Sequence, residues 1–313
     1  MTIRARSGAS AALATLLLTG LWASGFAEGN APIKIRPLRF GVITEQANEP
    51  DRVLRVYADF LHQLRGRLAP MAIEVAPLVI AKDLTDLSQR LLRGEVDLVA
   101  ETVFATLDLQ VESQGAVAPR LAIVRNDRRQ YHTVFFTNRN TNIRTLEDLR
   151  GRTLVLQAQR STSAFAVPKA ELARSGISLF PAGQPAAPRG STYYVFAGAE
   201  LNQAIWVLKG RGDAGAFNDG DWDRVPSKIR EGLVIFHETE PLLRGLLSFR
   251  TRLDPEIRAA CEEALLNMHK DTAGRAALLA ASGITRFERL TTKDLAGLGE
   301  WRQALRNASR GHR

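Results

Sequence analysis

The sequence has a single cysteine and no long apolar run. Because Cys261 is the only cysteine among 313 residues, no disulfide within the chain is possible, and stability must come from hydrophobic burial. We expect Cys261 to be a core thiol, since it lies in an amphipathic stretch that begins at Asp254. No segment approaches the ~20 consecutive apolar residues of a membrane-spanning helix.

The sequence also lacks the groups that carry most enzymatic chemistry. The five histidines are dispersed, and there is no cluster with metal-ligand spacing, no nucleophile–histidine–acid arrangement and no glycine-rich phosphate loop. We therefore predict no catalytic group, no metal and no cofactor.

The chain has fewer acidic residues (33 Asp and Glu) than basic ones (42 Lys and Arg), and its formal net charge is +9 at pH 7. A basic balance is typical of proteins that bind nucleic acid or anionic surfaces. The arginines are scattered, however, and no basic run is interleaved with aromatic residues. We interpret the charge as a solvated surface with a mild attraction for anions, and we predict no nucleic-acid partner.

The first 27 residues are typical of a secretory signal. Arg4 and Arg6 form a basic start, residues 11–21 are apolar, and Gly25 and Ala27 are small residues at the positions that a signal peptidase reads. We expect cleavage after Ala27 and an exported, soluble protein. The alternative is an uncleaved N-terminal anchor. No cysteine lies near the cleavage position, which excludes lipid attachment there.

Strand and helix patterns alternate along the rest of the chain. Apolar runs predict strands near residues 38–43, 73–77 and 96–100, and apolar residues at helical spacing predict helices at 53–68 and 84–92. This order predicts an α/β fold with a largely parallel sheet, in which ligands bind at the carboxyl ends of the strands. The tail from Asp254 is predicted to be helical.

One phrase occurs twice in the sequence, at residues 91–100 and 207–216. Each copy has a helix end, a glycine turn, an aspartate (Asp97 or Asp213) and an apolar strand. The repeat indicates two α/β lobes of similar build, and two lobes form a cleft that closes over a small ligand. We expect Asp97 and Asp213 to set the turn into each strand.

Three consecutive hydroxyl residues are the strongest candidate for a binding site. Ser161, Thr162 and Ser163 follow a predicted buried strand at 153–156 and precede a predicted helix. Hydroxyl and backbone N–H donors at a helix start, together with the positive end of the helix dipole, can hold an oxyanion. The alternative is an ordinary helix N-cap.

Other polar or aromatic residues lie at predicted strand ends or where the chain crosses between lobes. Each has a structural alternative: the cleft rim or a loop for the glutamates, hinge packing for the tyrosine, and the core for the phenylalanine. Thr44, which follows the first predicted strand, also lies at a strand end. The candidates for ligand contact are Glu101, Thr102, Phe104, Tyr131, Glu200, Asn218 and Asp219.

Together these segments resemble the phosphate/phosphite/phosphonate substrate-binding proteins of ABC transporters, the PhnD-like family. The phrases that carry the resemblance lie in matching order at residues 38–42, 94–97, 131–135, 146–151, 161–163 with Pro168, and 210–216. The resemblance implies the type 2 periplasmic-binding-protein fold, with two α/β lobes joined by a two-strand hinge. It places lobe 1 at residues 38–131 and 247–313 and lobe 2 at 132–246.

The resemblance also implies a function. The protein is expected in the periplasm, where it captures a small oxyanion and delivers it to an ABC permease in the inner membrane. Ser161, Thr162 and Ser163 are implied to hold phosphonate oxygens, with Thr102 and Glu101 contributed by lobe 1. We expect a monomer. An enzyme on the same fold and a receptor that presents its closed form to a sensor kinase are the alternatives.

Two departures from the family pattern concern charge. Phosphonate binders commonly have a Ser-His pair where this chain has Ala199 and Glu200, and Gly-Pro where it has Glu101. A third departure is Ala164, which replaces the usual glycine after the hydroxyl residues. A carboxylate repels an anion unless a cation intervenes or the carboxylate is protonated. The hypothesis is a zwitterionic ligand whose amine faces Glu101 or Glu200, or a ligand that is not a phosphonate.

Overall fold

The computed structural model describes residues 36–43, 50–184 and 187–310. The predicted signal at 1–27 and Thr44 lie outside the described residues. Of the helices in the described part, none is long and apolar enough to cross a membrane.

The strands of the described chain fall into two large sheets and two small pairs. They are β1 (Arg36–Leu38), β2 (Phe40–Ile43), β3 (Ile73–Val75), β4 (Val79–Ala81), β5 (Leu98–Glu101), β6 (Val117–Arg125), β7 (Gln130–Tyr131), β8 (Thr133–Asn138), β9 (Thr153–Leu156), β10 (Leu179–Pro181), β11 (Thr192–Phe196), β12 (Ala214–Asn218), β13 (Leu233–Glu238), β14 (Leu242–Leu243), β15 (Leu246–Arg250) and β16 (Ile284–Arg289).

The helices cover the faces of these sheets. They are α1 (Pro50–Leu68), α2 (Leu84–Arg93), α3 (Val103–Glu112), α4 (Val167–Arg174), α5 (Glu200–Leu208), α6 (Asp219–Arg224), α7 (Ser227–Arg230), α8 (Pro255–Asn267), α9 (Thr272–Ala280) and α10 (Thr292–Arg310). A wide turn, Thr162–Ala166, leads directly into α4.

The fold is mixed α/β with two sheet-containing lobes. The sheet of lobe 1 has the strand order β16-β6-β15-β5-β2-β4, and the sheet of lobe 2 has the order β10-β11-β9-β12-β8-β13. The prediction of a largely parallel sheet is correct only for part of each of these two sheets. In lobe 1, β4, β2 and β5 are parallel, but β15 runs antiparallel between β5 and β6. In lobe 2, β8 runs antiparallel to β12 and β13.

The repeated phrase forms the same structure in both lobes. Each helix ends at a glycine in the left-handed region, with φ 72° at Gly94 and 68° at Gly210, where a side chain would be strained. The aspartate that follows binds the start of a neighbouring strand. Asp97 accepts the backbone N–H of Arg39, directly before β2, at 3.0 Å, and Asp213 accepts that of Thr153 in β9 at 2.8 Å. These bonds tie adjacent strands together, and the expected role of the aspartates in the turn into their own strands stays a prediction.

The chain crosses between the lobes at two adjacent points. The strands β7 and β14 pair antiparallel there, with Tyr131 opposite Leu242. An apolar cluster surrounds this crossing and includes residues of α3, α4 and α10. The lobes are therefore linked by a packed two-stranded connection as well as by covalent continuity.

The helix α10 joins the two lobes a second time. Trp301 of α10 is buried, meets the ring of Phe104 edge-on at 5.6 Å, and has the guanidinium of Arg174 at 5.8 Å from its ring centre. Since Phe104 lies in α3 and Arg174 in α4, the C-terminal helix packs against both. A tryptophan buried at such a junction supplies a large apolar area.

The prediction of a wholly helical tail is wrong. Between α9 and α10 the chain forms β16, which pairs with β6 at the edge of the lobe 1 sheet. A bulge between Ile284 and Arg286 shifts the register, so that Ile284 and Phe287, three positions apart, are both buried. The bulge removes the strict alternation by which a strand is predicted from sequence. Cys261 is buried as expected.

The start of α10 is tied to the residues before β7 by a buried ion pair. Arg129 donates to both carboxylate oxygens of Asp294, at 2.7 and 2.6 Å, and the backbone N–H of Thr291 donates to the same carboxylate at 2.7 Å. The hydrogen bonds from Arg129 and Thr291 lower the pKa of Asp294 to about 2. The side chain of Asp294 is only 5% exposed, so solvent screens the pair weakly.

We predict that Asp294 stabilises the fold only when ionised. Its folded-state pKa lies below the unfolded value of about 4, so the contribution is complete above pH ~4 and is lost as pH falls toward 2. Asp294→Asn should lower the free energy of unfolding at pH 7 by about 1–2 kcal/mol and should match the wild type near pH 2. Urea denaturation at both pH values measures this. Arg129→Gln should show the same pH dependence, and a constant offset across the pH range would contradict the assignment.

Candidate functional site

Three helix starts in different parts of the fold carry polar capping residues. Thr102 caps α3, Ser161 caps the wide turn before α4, and Asn218 caps α6, all with extended backbone. The capped N–H groups are those of Ala105 at 3.4 Å, Ala164 at 3.1 Å and Asp221 at 3.0 Å. Thr102 directly follows β5 and Asn218 is the last residue of β12, whereas a short loop separates Ser161 from the end of β9 at Leu156.

Two of these caps contact the hydroxyl turn, by which we mean Ser161, Thr162 and Ser163. One contact crosses between the lobes and the other lies within lobe 2. The hydroxyl of Thr162 in lobe 2 donates to that of Thr102 in lobe 1 at 2.9 Å. Within lobe 2, the side-chain amide of Asn218 lies 3.5 Å from the hydroxyl of Ser163. The structure therefore brings Thr102, Thr162, Ser163 and Asn218 together, with Ser161 at the adjacent cap. These groups are hydroxyls and amides at the positive ends of helices, which are suited to anions.

The alanine at position 164 fits the backbone of the turn. Ala164 has φ −110° and ψ 17°, a conformation that any residue can adopt, and it is fully buried. The local geometry therefore does not need the glycine that the family usually has there.

Asp219 lies beside this cluster and is flanked by two arginines. Its carboxylate is 3.6 Å from Arg128 and 3.9 Å from Arg244, and its backbone N–H donates to the carbonyl of His132 at 2.9 Å. Burial raises the pKa of the neighbouring Asp221, against the effect of Arg224 and the hydrogen bond from Asn218.

Tyr131 and Phe104 are placed by packing. Tyr131 is 6% exposed at the lobe crossing, and burial raises its pKa while the adjacent Arg244, 5.6 Å from the ring centre, acts in the opposite direction. Phe104 is buried against Trp301. These positions support the hinge-packing and core interpretations, and ligand contact by either ring stays a prediction.

Glu101 and Glu200, the two glutamates that depart from the family pattern, lie at strand ends in different lobes. Glu101 ends β5 and interacts electrostatically with Arg125 and Tyr57. Burial lowers the pKa of Arg125, and the charge of Glu101 opposes that shift. A cation, Arg125, is therefore near Glu101. A nearby cation is one of the two conditions under which this carboxylate would not repel an anion. Glu200 is the first residue of α5 and shares the sheet edge of the hydroxyl turn through β11, which neighbours β9.

The sequence patterns did not predict a role for the arginines near the cluster, which are Arg125, Arg128 and Arg244. The clearest signal was Arg244, a lone charge inside the apolar stretch at residues 242–249. Arg128 follows a strand, and Arg125 is its last residue. Among the described residues, no group of three or more His, Cys, Asp or Glu side chains is arranged to hold a metal ion.

The fold and this cluster define the class of periplasmic ligand-binding proteins. The family model described as "ABC transporter, phosphonate, periplasmic substrate-binding protein" matches residues 40–295. The chain belongs to this family, whose members bind a small ligand and work with a permease, and the family implies a periplasmic location. Such proteins are typically not enzymes. No match was found among curated proteins.

Solved structures are similar to this chain over most of its length. XAC2383 from Xanthomonas citri, described as bound to chloride ion and as bound to ATP, is 30% identical with a TM-score of 0.76, and the match covers 88% of this chain and 98–99% of that chain. PhnD1 from Prochlorococcus marinus, in complex with methylphosphonate, is 18% identical with a TM-score of 0.57, covering 87% and 99%. The aliphatic sulphonate binding protein SsuA from Escherichia coli is 13% identical with a TM-score of 0.52, covering 88% of each chain. The latter two similarities show the fold alone.

We predict that the capping role of the hydroxyl turn belongs to Ser161 alone. Ser161→Ala removes the acceptor of the Ala164 N–H and should lower the free energy of unfolding by about 1 kcal/mol, whereas Ser161→Gly should cost only a few tenths. Thr162→Ala removes a hydroxyl that faces Thr102 and caps no helix, so its cost should be smaller than that of Ser161→Ala. Thermal melts of the three variants without ligand measure this. Equal losses for Ser161→Ala and Thr162→Ala would contradict it.

Proposed function

We propose that the protein captures a small phosphorus oxyanion, that is, a phosphonate, phosphite or phosphate, by closure of its two lobes. The observation that carries the proposal is the direct contact of Thr162 with Thr102, which sets hydroxyl groups from helix starts of both lobes against one another. A ligand that bridges these groups binds the closed form more tightly than the open form, and so shifts the population toward closure.

The chemistry of the cluster supports an anion over a neutral solute. Thr102 and the hydroxyl turn lie at the starts of α3 and α4, where the helix dipoles place partial positive charge. Three phosphoryl oxygens need several donors, and the donors here are hydroxyl and amide groups without a carboxylate in the turn itself. XAC2383, the 30% identical relative, is described with two anions, chloride and ATP.

An aminophosphonate is the variant of this ligand that the glutamates suggest. An amine would face Glu101 of lobe 1 or Glu200 of lobe 2. The interaction of Glu101 with Arg125 weakens the case for Glu101, because part of its charge is already balanced. Glu200, at the edge shared with the hydroxyl turn, is the better candidate for an amine.

The remaining parts of the function are proposals of the same kind. We propose that residues 1–27 are a cleaved signal, that lobe 1 comprises residues 38–131 and 247–313, and that lobe 2 comprises residues 132–246. The protein acts as a monomer with an ABC permease as partner. A sensing role on the same fold is the second candidate, since both roles use the same ligand-driven closure.

We predict that phosphorus oxyanions raise the unfolding temperature of the protein that begins at Glu28. A ligand at about a hundredfold its dissociation constant stabilises the folded state by roughly 2.7 kcal/mol. The panel holds phosphate, phosphite, methylphosphonate, 2-aminoethylphosphonate, sulfate and amino acids. A shift with 2-aminoethylphosphonate but not with phosphate would assign the amine to a glutamate. No shift with any phosphorus oxyanion would contradict the proposed ligand class.

The hydroxyl turn should account for much of the affinity. Thr162→Ala and Ser163→Ala should each weaken binding by about 1–3 kcal/mol, because each removes a donor to the ligand oxygens. Isothermal titration with the best ligand of the panel measures the change. Thr251→Ala, which removes an exposed hydroxyl that donates to the carbonyl of Ala116 in lobe 1, is the control and should bind like the wild type. Wild-type affinity in both turn variants would place the site elsewhere.

A further inference from the structure

A partly buried arginine lies at the crossing between the lobes, next to the polar cluster. Arg244 stands between β14 and β15, where the chain returns to lobe 1. Its side chain is 17% exposed, and its guanidinium carbon lies 5.6 Å from the centre of the Tyr131 ring. The ring therefore stabilises the cation through a cation–π contact, which uses none of its N–H donors.

One N–H donor of this guanidinium is not used. Its Nε is buried and has no hydrogen-bond partner in the described part of the chain. The carboxylate of Asp219 is 3.9 Å from Nη2, beyond hydrogen-bond distance. Burial lowers the pKa of Arg244, and the charge of Arg128 lowers it further, against the effects of Asp219, Tyr131 and Asp221. A buried charged donor without a partner is costly and calls for a function.

Gly220 keeps space open in front of this arginine. A Cβ at this position would lie 3.5 Å from Nη2 of Arg244, 3.8 Å from Nη1 of Arg128 and 3.1 Å from Oδ1 of Asn218. The same Asn218 lies 3.5 Å from the hydroxyl of Ser163 through its amide nitrogen. Asn218 therefore connects the space beside Arg244 to the hydroxyl turn.

We propose that Arg244 is an anion-binding residue of this cleft, which donates charge-assisted hydrogen bonds to the ligand oxyanion together with the hydroxyl turn. The inference rests on the proposed function and deepens it, because Arg244 would supply a cationic donor in a chain that has Ala199 and Glu200 in place of the usual Ser-His pair. A guanidinium can bind two oxygens of one phosphoryl group at once, so the ligand class is an anion with a phosphoryl group. The hydroxyls and amides of the helix starts bind the remaining oxygen.

A different role for Arg244 is to balance the charge of Asp219. Arg128 provides the matched control for this alternative, because it is 3.6 Å from the same carboxylate, also pairs with Asp223 at 3.4 Å, and is 50% exposed. If charge balance is the only role, Arg128→Gln and Arg244→Gln should weaken binding alike, and adding Asp219→Asn to Arg244→Gln should restore it.

The test is isothermal titration of the protein with phosphate, methylphosphonate and sulfate, with a melt of each variant to show that it folds. Arg244→Gln should weaken binding by about tenfold or more, as for loss of a charge-assisted hydrogen bond. Arg128→Gln should stay within about twofold of the wild type, and Asp219→Asn should not rescue Arg244→Gln. Arg244→Lys keeps the positive charge but lacks the planar pair of N–H donors that binds two oxygens, so it should bind with intermediate affinity.

Gly220→Ala keeps the test decisive if Arg244→Gln does not fold. The added Cβ fills the space beside Asn218 and Arg244, and alanine suits the helix α6 in which Gly220 lies. The Cβ lies 3.1 Å from Oδ1 of Asn218, so this side chain must shift slightly, and a melt shows whether the variant folds. The folded variant should bind the anions several-fold more weakly.

The outcomes separate this inference from the proposed function. Wild-type affinity in both Arg244→Gln and Gly220→Ala, an equal loss in Arg128→Gln, or rescue by Asp219→Asn would overturn the role of Arg244 and leave the proposed function standing. Binding of sulfate alone, lost in Arg244→Gln, would support Arg244 and overturn the phosphorus ligand. No anion binding by the wild type would overturn both.

Discussion

The contact between Thr162 and Thr102 is the interaction on which the cleft depends. It joins the start of a helix in lobe 2 to the start of a helix in lobe 1 at 2.9 Å, so the positive ends of two helix dipoles face one region. Such a meeting is unfavourable without negative charge between the helices, because like partial charges approach. In the proposed function, an oxyanion removes this repulsion and uses the same donors, which would couple closure to anion binding.

Apolar packing at the crossing holds these helix starts in place. Tyr131, Phe104 and Trp301 belong to one cluster that includes parts of both lobes and of α10. The ion pair of Arg129 with Asp294 fixes the start of α10 beside the first crossing strand. The polar groups of the cleft lie at helix starts that this core holds, so the core also sets the positions of those groups. A change in α10 would therefore act on the cleft through the helices α3 and α4.

Charge in the cleft is balanced locally rather than by one dominant cation. Glu101 interacts with Arg125, and Asp219 stands between Arg128 and Arg244. Of the two carboxylates that stood against an anion in the sequence, Glu101 is thus near an arginine. Arg244 is the arginine among them with the clearest unused donor capacity, and an anion is the natural partner for it.

The sequence alone determined the parts of the fold that depend on local patterns. The repeat of helix end, glycine turn and aspartate predicted two similar lobes, and the hydroxyl residues before α4 predicted a helix start, because capping and turn chemistry are local. The strand β16 was missed because a bulge breaks its alternation. The arginines of the cleft and the meeting of Thr102 with Thr162 were decided by tertiary structure. These residues are far apart in the chain, and no local pattern encodes which charges are brought together when strand ends from two lobes converge.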